Sequence, residues 1–112
     1  MAINFNKDIN MKDRIDTLAR YIIVHSIIYY DYNANIISDK EYDEASKLLA
    51  FLKNTYPQIA EECYYWEVIK DFDGTTGFDL KDKLKKNHRE YLEHIARNVL
   101  MTYKGEYRVT TK

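Results

Sequence analysis

The segment Ser38-Asp39-Lys40-Glu41-Tyr42-Asp43 marks the start of a helix. In a serine–glutamate pair spaced in this way, the serine hydroxyl accepts a hydrogen bond from the backbone amide of the glutamate. The glutamate side chain accepts one in return from the amide of the serine. Both bonds satisfy amides that have no partner within the helix itself. The segment therefore predicts a helix that begins at Asp39, with acidic residues near the positive end of its dipole.

This predicted first turn places two carboxylates and a phenol side by side. Asp39, Tyr42 and Asp43 stand at positions i, i+3 and i+4, which lie on one face of a helix. Such a face can contact a ligand. An ordinary capped helix whose tyrosine packs beneath the preceding helix accounts for the same residues. The spacing alone leaves both interpretations open.

A long central helix is predicted before this segment. Asn10 is a suitable N-cap for a helix that runs to about Tyr30 or Asp31. Residues 21–28 are apolar on almost every side, so this helix should be central. His25 and Ser26 interrupt the apolar run, and we interpret His25 as a satisfied core or groove histidine rather than a catalytic one. Residues 1–9 lack a clear period, which indicates an extended or frayed lead-in.

The second predicted helix returns along the first. Two asparagines predict a turn over residues 31–37, and the helix then runs from Asp39 to about Asn54, before Pro57. A short turn between two helices favours an antiparallel hairpin, here over residues 10–57. The side chains that this helix is expected to bury are Tyr42, Ala45, Leu48, Leu49 and Leu52.

Residues 58–105 form the predicted C-terminal helical part. Over residues 58–72 we favour helix, although the composition of residues 64–69 also suits a strand. Two glycines predict a turn over residues 73–77, where a positive φ or a close backbone approach is possible.

A final helix is predicted near the end of the chain. A short helix is predicted at residues 80–86. Asn87 and Glu90 then form a second capping box, with the same spacing as Ser38 and Glu41. The helix that follows is predicted to reach about Lys104, with Gly105 after its end. Its expected apolar face comprises Tyr91, Leu92, Ile95, Ala96, Val99 and Leu100. The whole chain, residues 1–112, is therefore predicted to be one compact all-α domain of four to five helices built on the hairpin.

Composition limits the classes of function. The chain has 112 residues, 46% of them hydrophobic and 31% charged, with a net charge of −1. This balance gives no strong nucleic-acid signal, and no apolar run is long enough for a membrane span. The single cysteine, Cys63, cannot form an internal disulfide, so a cytoplasmic location is expected. Eleven tyrosines suit nucleotide stacking or a protein interface, and equally a core lined by amphipathic rings.

Four short motifs carry a resemblance to a known family. They are Tyr29-Tyr30, the run from Ile37 to Asp43, Leu48-Leu49 and Tyr56-Pro57. Together they resemble the N-terminal Ia domain of NAD-dependent DNA ligases, in which an aromatic pair and an Asp-x-x-Tyr-Asp group hold the nicotinamide mononucleotide half of NAD. The resemblance implies that NAD or nicotinamide mononucleotide is a ligand. The implied cofactor-binding residues are Tyr29, Tyr30, Asp39, Tyr42 and Asp43.

Catalysis is not expected of this chain. Ligation uses a lysine nucleophile in a Lys-x-Asp-Gly motif, whereas Lys70 to Gly74 reads Lys-x-x-Asp-Gly. No metal is expected, because His88 and His94 are six residues apart and do not share a helical face. The prediction is a non-catalytic binding protein.

A protein partner is the alternative. The segment from Asp71 to Phe78 resembles part of small ligase-like proteins encoded by bacteriophages. That resemblance implies a free-standing phage protein that binds a bacterial host protein, for example as an inhibitor of a defence effector of the anti-CRISPR type. A groove that is open at the tyrosines favours nucleotide binding, and a groove filled by Trp66 favours the protein partner. The oligomeric state is left open.

Overall fold

The chain folds into helices, as the all-α prediction requires. The computed structural model describes the backbone of residues 2–75 and 80–111, and the side chains of residues 11–75, 80 and 82–102. Within these ranges there is no strand. The α-helices are α1 (Ala2–Tyr32), α2 (Asp39–Thr55), α3 (Pro57–Glu61), α4 (Trp66–Ile69) and α5 (Lys86–Thr111), and a 3₁₀ helix covers Leu80–Lys83.

Helix α1 is the centre of the fold. It packs against α2, α3, α5 and the 3₁₀ helix. Its apolar residues fill the core because a helix surrounded by others must be apolar on most sides. The core residues that it contributes are Ile15, Ala19, Ile22, Ile23, Val24, Ile27 and Ile28. None of the helices within the described residues combines the length and the apolar character that a membrane span needs.

The predicted start of α2 is confirmed. The amide of Glu41 donates to Ser38 Oγ at 3.0 Å, and the amide of Ser38 donates to Glu41 Oε1 at 3.2 Å. The preceding helix ends at Tyr32, where Asn33 adopts a left-handed φ of 51°, a conformation that asparagine tolerates better than most residues. The connecting loop therefore covers residues 33–38, slightly later than the predicted turn over 31–37.

Two predicted helix ends are wrong. Helix α1 begins at Ala2 rather than after Asn10, since residues 2–9 contain neither glycine nor proline to stop a helix. The final helix begins at Lys86 and passes through Gly105 to Thr111. A single glycine within a helix costs only about 1 kcal/mol, which is too little to end the helix at Gly105.

The prediction that Asn87 and Glu90 form a second capping box is also wrong. Asn87 lies within α5, and its side chain accepts from the adjacent amide of His88 at 3.0 Å instead of capping three residues ahead. Two apolar-face assignments fail too, because Leu48 and Tyr91 are exposed. Helix was correctly favoured over strand for residues 58–72, but it is split into α3 and α4 by a turn at residues 62–65.

A buried lysine fixes the segment after α4. Lys53, on α2, donates to the carbonyl oxygens of Ile69 and Lys70, both at 3.1 Å, and to that of Phe72. An ammonium group has three N–H donors, so all of them are used. Burial lowers the pKa of Lys53, while the nearby carboxylates of Asp71 and Asp73 oppose this shift. The lysine thus holds the end of α4 against α2.

A glycine lets the following loop touch α2. Gly74 has a φ of 90°, and a Cβ there would lie 3.2 Å from Ser46 O and 3.3 Å from Ala50 Cβ. The positive φ strongly favours glycine, and the close approach leaves little space for a side chain. The predicted turn with a close approach is confirmed at this residue, and Gly77 lies outside the described residues.

We predict that Lys53→Met lowers the free energy of unfolding by about 2 to 4 kcal/mol, because it removes the ammonium group that donates to the three carbonyl oxygens. Of these three, within the described residues, only that of Ile69 also accepts from a backbone amide, that of Phe72. Urea denaturation followed by circular dichroism measures the change. The matched control is Lys47→Met on the same helix, where the lysine side chain is 71% exposed, and its effect should stay within about 0.5 kcal/mol. Equal effects of the two substitutions would show that the Lys53 contacts do not support the fold.

Candidate functional site

An open groove lies where the end of α1 meets the start of α2. It has a volume of about 660 Å³, within the range of small-molecule sites. The hairpin creates it, because the short loop over residues 33–38 brings the two helix ends together. All five residues that the sequence singled out line this groove: Tyr29, Tyr30, Asp39, Tyr42 and Asp43. Trp66 is not among the lining residues.

A hydrogen-bond chain fixes the ring of Tyr42. Ser26 Oγ donates to the carbonyl oxygen of Ile22 at 2.7 Å and lies 2.6 Å from Tyr42 Oη. A serine hydroxyl has one hydrogen, so the phenol of Tyr42 must be the donor to Ser26. Burial raises the pKa of Tyr42. Tyr42 is therefore a neutral, immobilised ring in the floor of the groove.

The tyrosine pair offers aromatic surface to solvent. The rings of Tyr29 and Tyr30 meet edge to face, with centroids 4.8 Å apart and planes at 85°, the geometry that aromatic quadrupoles favour. The two side chains are 47% and 42% exposed. Accessible aromatic faces at a groove can bind a flat or cationic ring.

The two carboxylates differ in their surroundings. Asp43 forms an ion pair with Lys47, one turn further along α2, at 2.9 Å. Both of these side chains are well exposed, so water screens the pair and it is weak. Asp39 has no ion-pair partner among the described side chains. Lys40 also lines the groove, and Asp39 is the carboxylate beside the tyrosines whose charge no described ion pair offsets.

Several lining residues were not predicted as site residues. His25 and Ser26 come from α1, Lys40 from α2, and Thr75 from the loop that Gly74 brings to α2. His25 contacts the ring of Tyr21, with centroids 4.6 Å apart. His25 and Ser26 could have been found from the sequence, because they are polar residues within an otherwise apolar stretch of helix. No local pattern could place Thr75, because its position depends on contacts between distant parts of the chain.

A second, smaller groove lies at the other half of α1. It has a volume of about 440 Å³ and includes Asp16, Arg20, Tyr64, Tyr65 and His88. Tyr64 Oη and His88 Nε2 are 2.7 Å apart there. None of the predicted site residues lies in it. Within the described residues, no cluster of histidine, cysteine and acidic side chains could hold a metal ion.

The comparison with protein families agrees with the geometry of the first groove. Residues 8–62 match the family model of the DNA ligase-like, N-terminal NAD+-binding domain. The matched region spans the hairpin and includes all five predicted site residues. The similarity to the Ia domain that the sequence motifs indicated is therefore supported for this part of the chain.

A curated relative points the same way. The DNA ligase of Lawsonia intracellularis (strain PHE/MN1-00) is 40% identical over 48 residues, which cover 43% of this chain and 7% of that ligase. The chain thus spans only a small part of the length of the ligase that it matches. No solved structure matches the chain. The family match covers residues 8–62 of this chain, so the similarity that these comparisons show concerns the NAD+-binding domain.

The groove should show its burial in the titration of His25. Burial lowers the pKa of His25 from its ordinary value of 6.5, and the charge of Glu41 opposes this. The unfolded chain consequently binds more protons as the pH falls below about 6.5, so the free energy of unfolding should decrease there. We predict an imidazole midpoint below 6.5 in an NMR titration.

Glu41→Gln should lower that midpoint further, because it removes the opposing charge and keeps an acceptor for Ser38. Glu44→Gln, an exposed change on the same helix, is the control and should leave the midpoint unchanged. A midpoint at or above 6.5 in the unsubstituted protein would contradict the burial of this histidine.

Proposed function

We propose that the groove between α1 and α2 binds the nicotinamide mononucleotide half of NAD. The observation that carries the proposal is the convergence of the tyrosine pair, Tyr42 and two carboxylates on one open groove. The oxidised nicotinamide ring is a cation. Aromatic faces attract cations, and carboxylates both neutralise the charge and accept hydrogen bonds from ribose hydroxyls. The match of residues 8–62 to an NAD+-binding domain supports the same ligand.

The two halves of the ligand find different surroundings. The cationic ring suits the side of the groove with Tyr29, Tyr30 and the carboxylates. The phosphate suits Lys40, at the N-terminal turn of α2, where backbone amides and the helix dipole also favour an anion. Asp39 should contribute more than Asp43, because Asp43 already interacts with Lys47.

We propose binding without catalysis. Lys70, the lysine of the segment that resembles a ligase nucleophile motif, forms an ion pair with Glu67 at 3.1 Å. It does not line the groove, and its own carbonyl is held by Lys53. A nucleotide in the groove would therefore not meet this amine.

A second candidate function is binding to a protein. Leu48 and Phe51 stand one turn apart on α2, and 44% and 62% of their surfaces are exposed. Exposed apolar side chains on one helical face suit a protein partner. In this proposal the protein is encoded by a phage and inhibits a bacterial defence effector. The Leu48–Phe51 surface, rather than the groove, would then be the functional surface.

Isothermal titration with nicotinamide mononucleotide distinguishes the two candidates. We predict binding that Asp39→Asn weakens by roughly 1 to 3 kcal/mol and Asp43→Asn by less, through loss of a charge-assisted interaction. Adenosine monophosphate should not compete, because its base is neutral and gains nothing from the carboxylates.

Phe51→Ser is the matched control on α2 and should leave nucleotide affinity unchanged. No heat and no shift in melting temperature with nicotinamide mononucleotide would reject the nucleotide proposal. Capture of a bacterial effector that is lost in Phe51→Ser and kept in Asp39→Asn would support the protein-binding candidate.

A further inference from the structure

One wall of the groove comes from a part of the chain outside the family match. Thr75 lines the groove together with the hairpin residues, whereas the match ends at residue 62. The loop of residues 73–75 is therefore an addition to the hairpin. The contacts of this loop determine how it can contribute to ligand choice.

The loop is held firmly where it meets the groove. Lys53 holds the carbonyl oxygen of Phe72, and Gly74 packs closely against the backbone of α2 at Ser46, where a Cβ would lie 3.2 Å from the carbonyl oxygen. These two contacts lie directly before Thr75. The two contacts therefore set the position of Thr75 relative to Tyr42 and Asp43, which lie near the start of α2.

The hydroxyl of Thr75 can only accept from a ligand. Thr75 Oγ1 donates to Asp73 Oδ1 at 2.6 Å, and the amide of Thr75 donates to the same oxygen at 3.0 Å. A threonine hydroxyl has a single hydrogen, so its remaining capacity is that of an acceptor. These two bonds also lower the pKa of Asp73, which keeps a negative charge beside the hydroxyl at neutral pH.

We propose that Thr75 selects the ligand by accepting a hydrogen bond from a neutral donor group, and that Asp73 excludes anionic groups from this wall. On a nicotinamide nucleotide the neutral donors are the carboxamide nitrogen and the ribose hydroxyls. The phosphate must then lie away from this loop, towards Lys40. The inference rests on the proposed function and adds a specificity-determining residue to it.

The test compares two ligands by isothermal titration. Nicotinamide mononucleotide carries the carboxamide, and nicotinic acid mononucleotide carries a carboxylate in its place. Thr75→Val removes the acceptor at constant size and should weaken binding of nicotinamide mononucleotide roughly 3- to 10-fold, the effect of one hydrogen bond. Thr75→Ser keeps the hydroxyl and is the matched control, expected to bind within about 2-fold of the unsubstituted protein.

Asp73→Asn tests the exclusion of anions. An asparagine oxygen can still accept from Thr75, so the loop keeps its hydrogen bonds while the charge is lost. The preference for the amide over the acid nucleotide should fall. If Thr75→Val weakens both ligands equally, the donor is a ribose hydroxyl, and if it weakens only the amide ligand, the donor is the carboxamide. Either result supports the hydrogen bond to Thr75, and only the second makes Thr75 the residue that distinguishes the two nucleotides.

Two results would overturn it, and they are distinguishable. If the unsubstituted protein binds nicotinamide mononucleotide and Thr75→Val binds both ligands as tightly, with its melting temperature unchanged, Thr75 has no part in recognition and the proposed function stands. If the unsubstituted protein binds neither nucleotide, the proposed function and this inference both fail.

Discussion

The hydrogen bond from the phenol of Tyr42 to Ser26 joins the two helices of the hairpin at the point where the groove forms. Ser26 is almost fully buried within α1, and its own hydrogen goes to the carbonyl oxygen of Ile22. The first turn of α2 is thereby held at a fixed distance from the last turns of α1. Because Asp39 and Asp43 flank Tyr42 on the same helical face, this one contact also sets where both carboxylates lie.

A second constraint acts from the opposite end of α2. Lys53 donates hydrogen bonds to carbonyl oxygens at the end of α4, and Gly74 then lets the chain run close to the middle of α2. Thr75 reaches the groove only because both contacts are made. The fold thus connects the core, the buried lysine and the candidate site in one physical arrangement. A change at Lys53 would affect the groove through the loop that carries Thr75, although Lys53 itself does not line the groove.

The sequence predicted most of what depends on local pattern. The cap at Ser38, the central position of α1, the all-α class and the turn at Gly74 follow from spacing and residue type, and all are confirmed. The convergence of the five site residues followed from a short loop between two helices. These features could be predicted because each depends on neighbours within a few residues or on one helical face.

What could not be predicted depends on contacts between distant residues. Nothing near Lys53 indicates that its amine will meet three carbonyl groups 16 to 19 residues away. Tyr91 and Leu48 fit an apolar period, yet the surrounding helices leave them exposed. The predictions for the start of α1 and the end of α5 are wrong because Asn10 and Gly105 are only weak local signals for a helix end, and both helices continue past them. The division into a hairpin and a C-terminal helical part stays a prediction.

The central claim is that a nicotinamide nucleotide occupies the groove between α1 and α2, and an NMR titration of the ¹⁵N-labelled protein with nicotinamide mononucleotide tests it most directly. The account predicts concentration-dependent amide shifts confined to residues 25–43 and to Thr75, around the groove. Amides along the second groove, near Arg20, Tyr64 and His88, should stay in place. Shifts at that second groove alone, or none at all at millimolar nucleotide, would contradict the account.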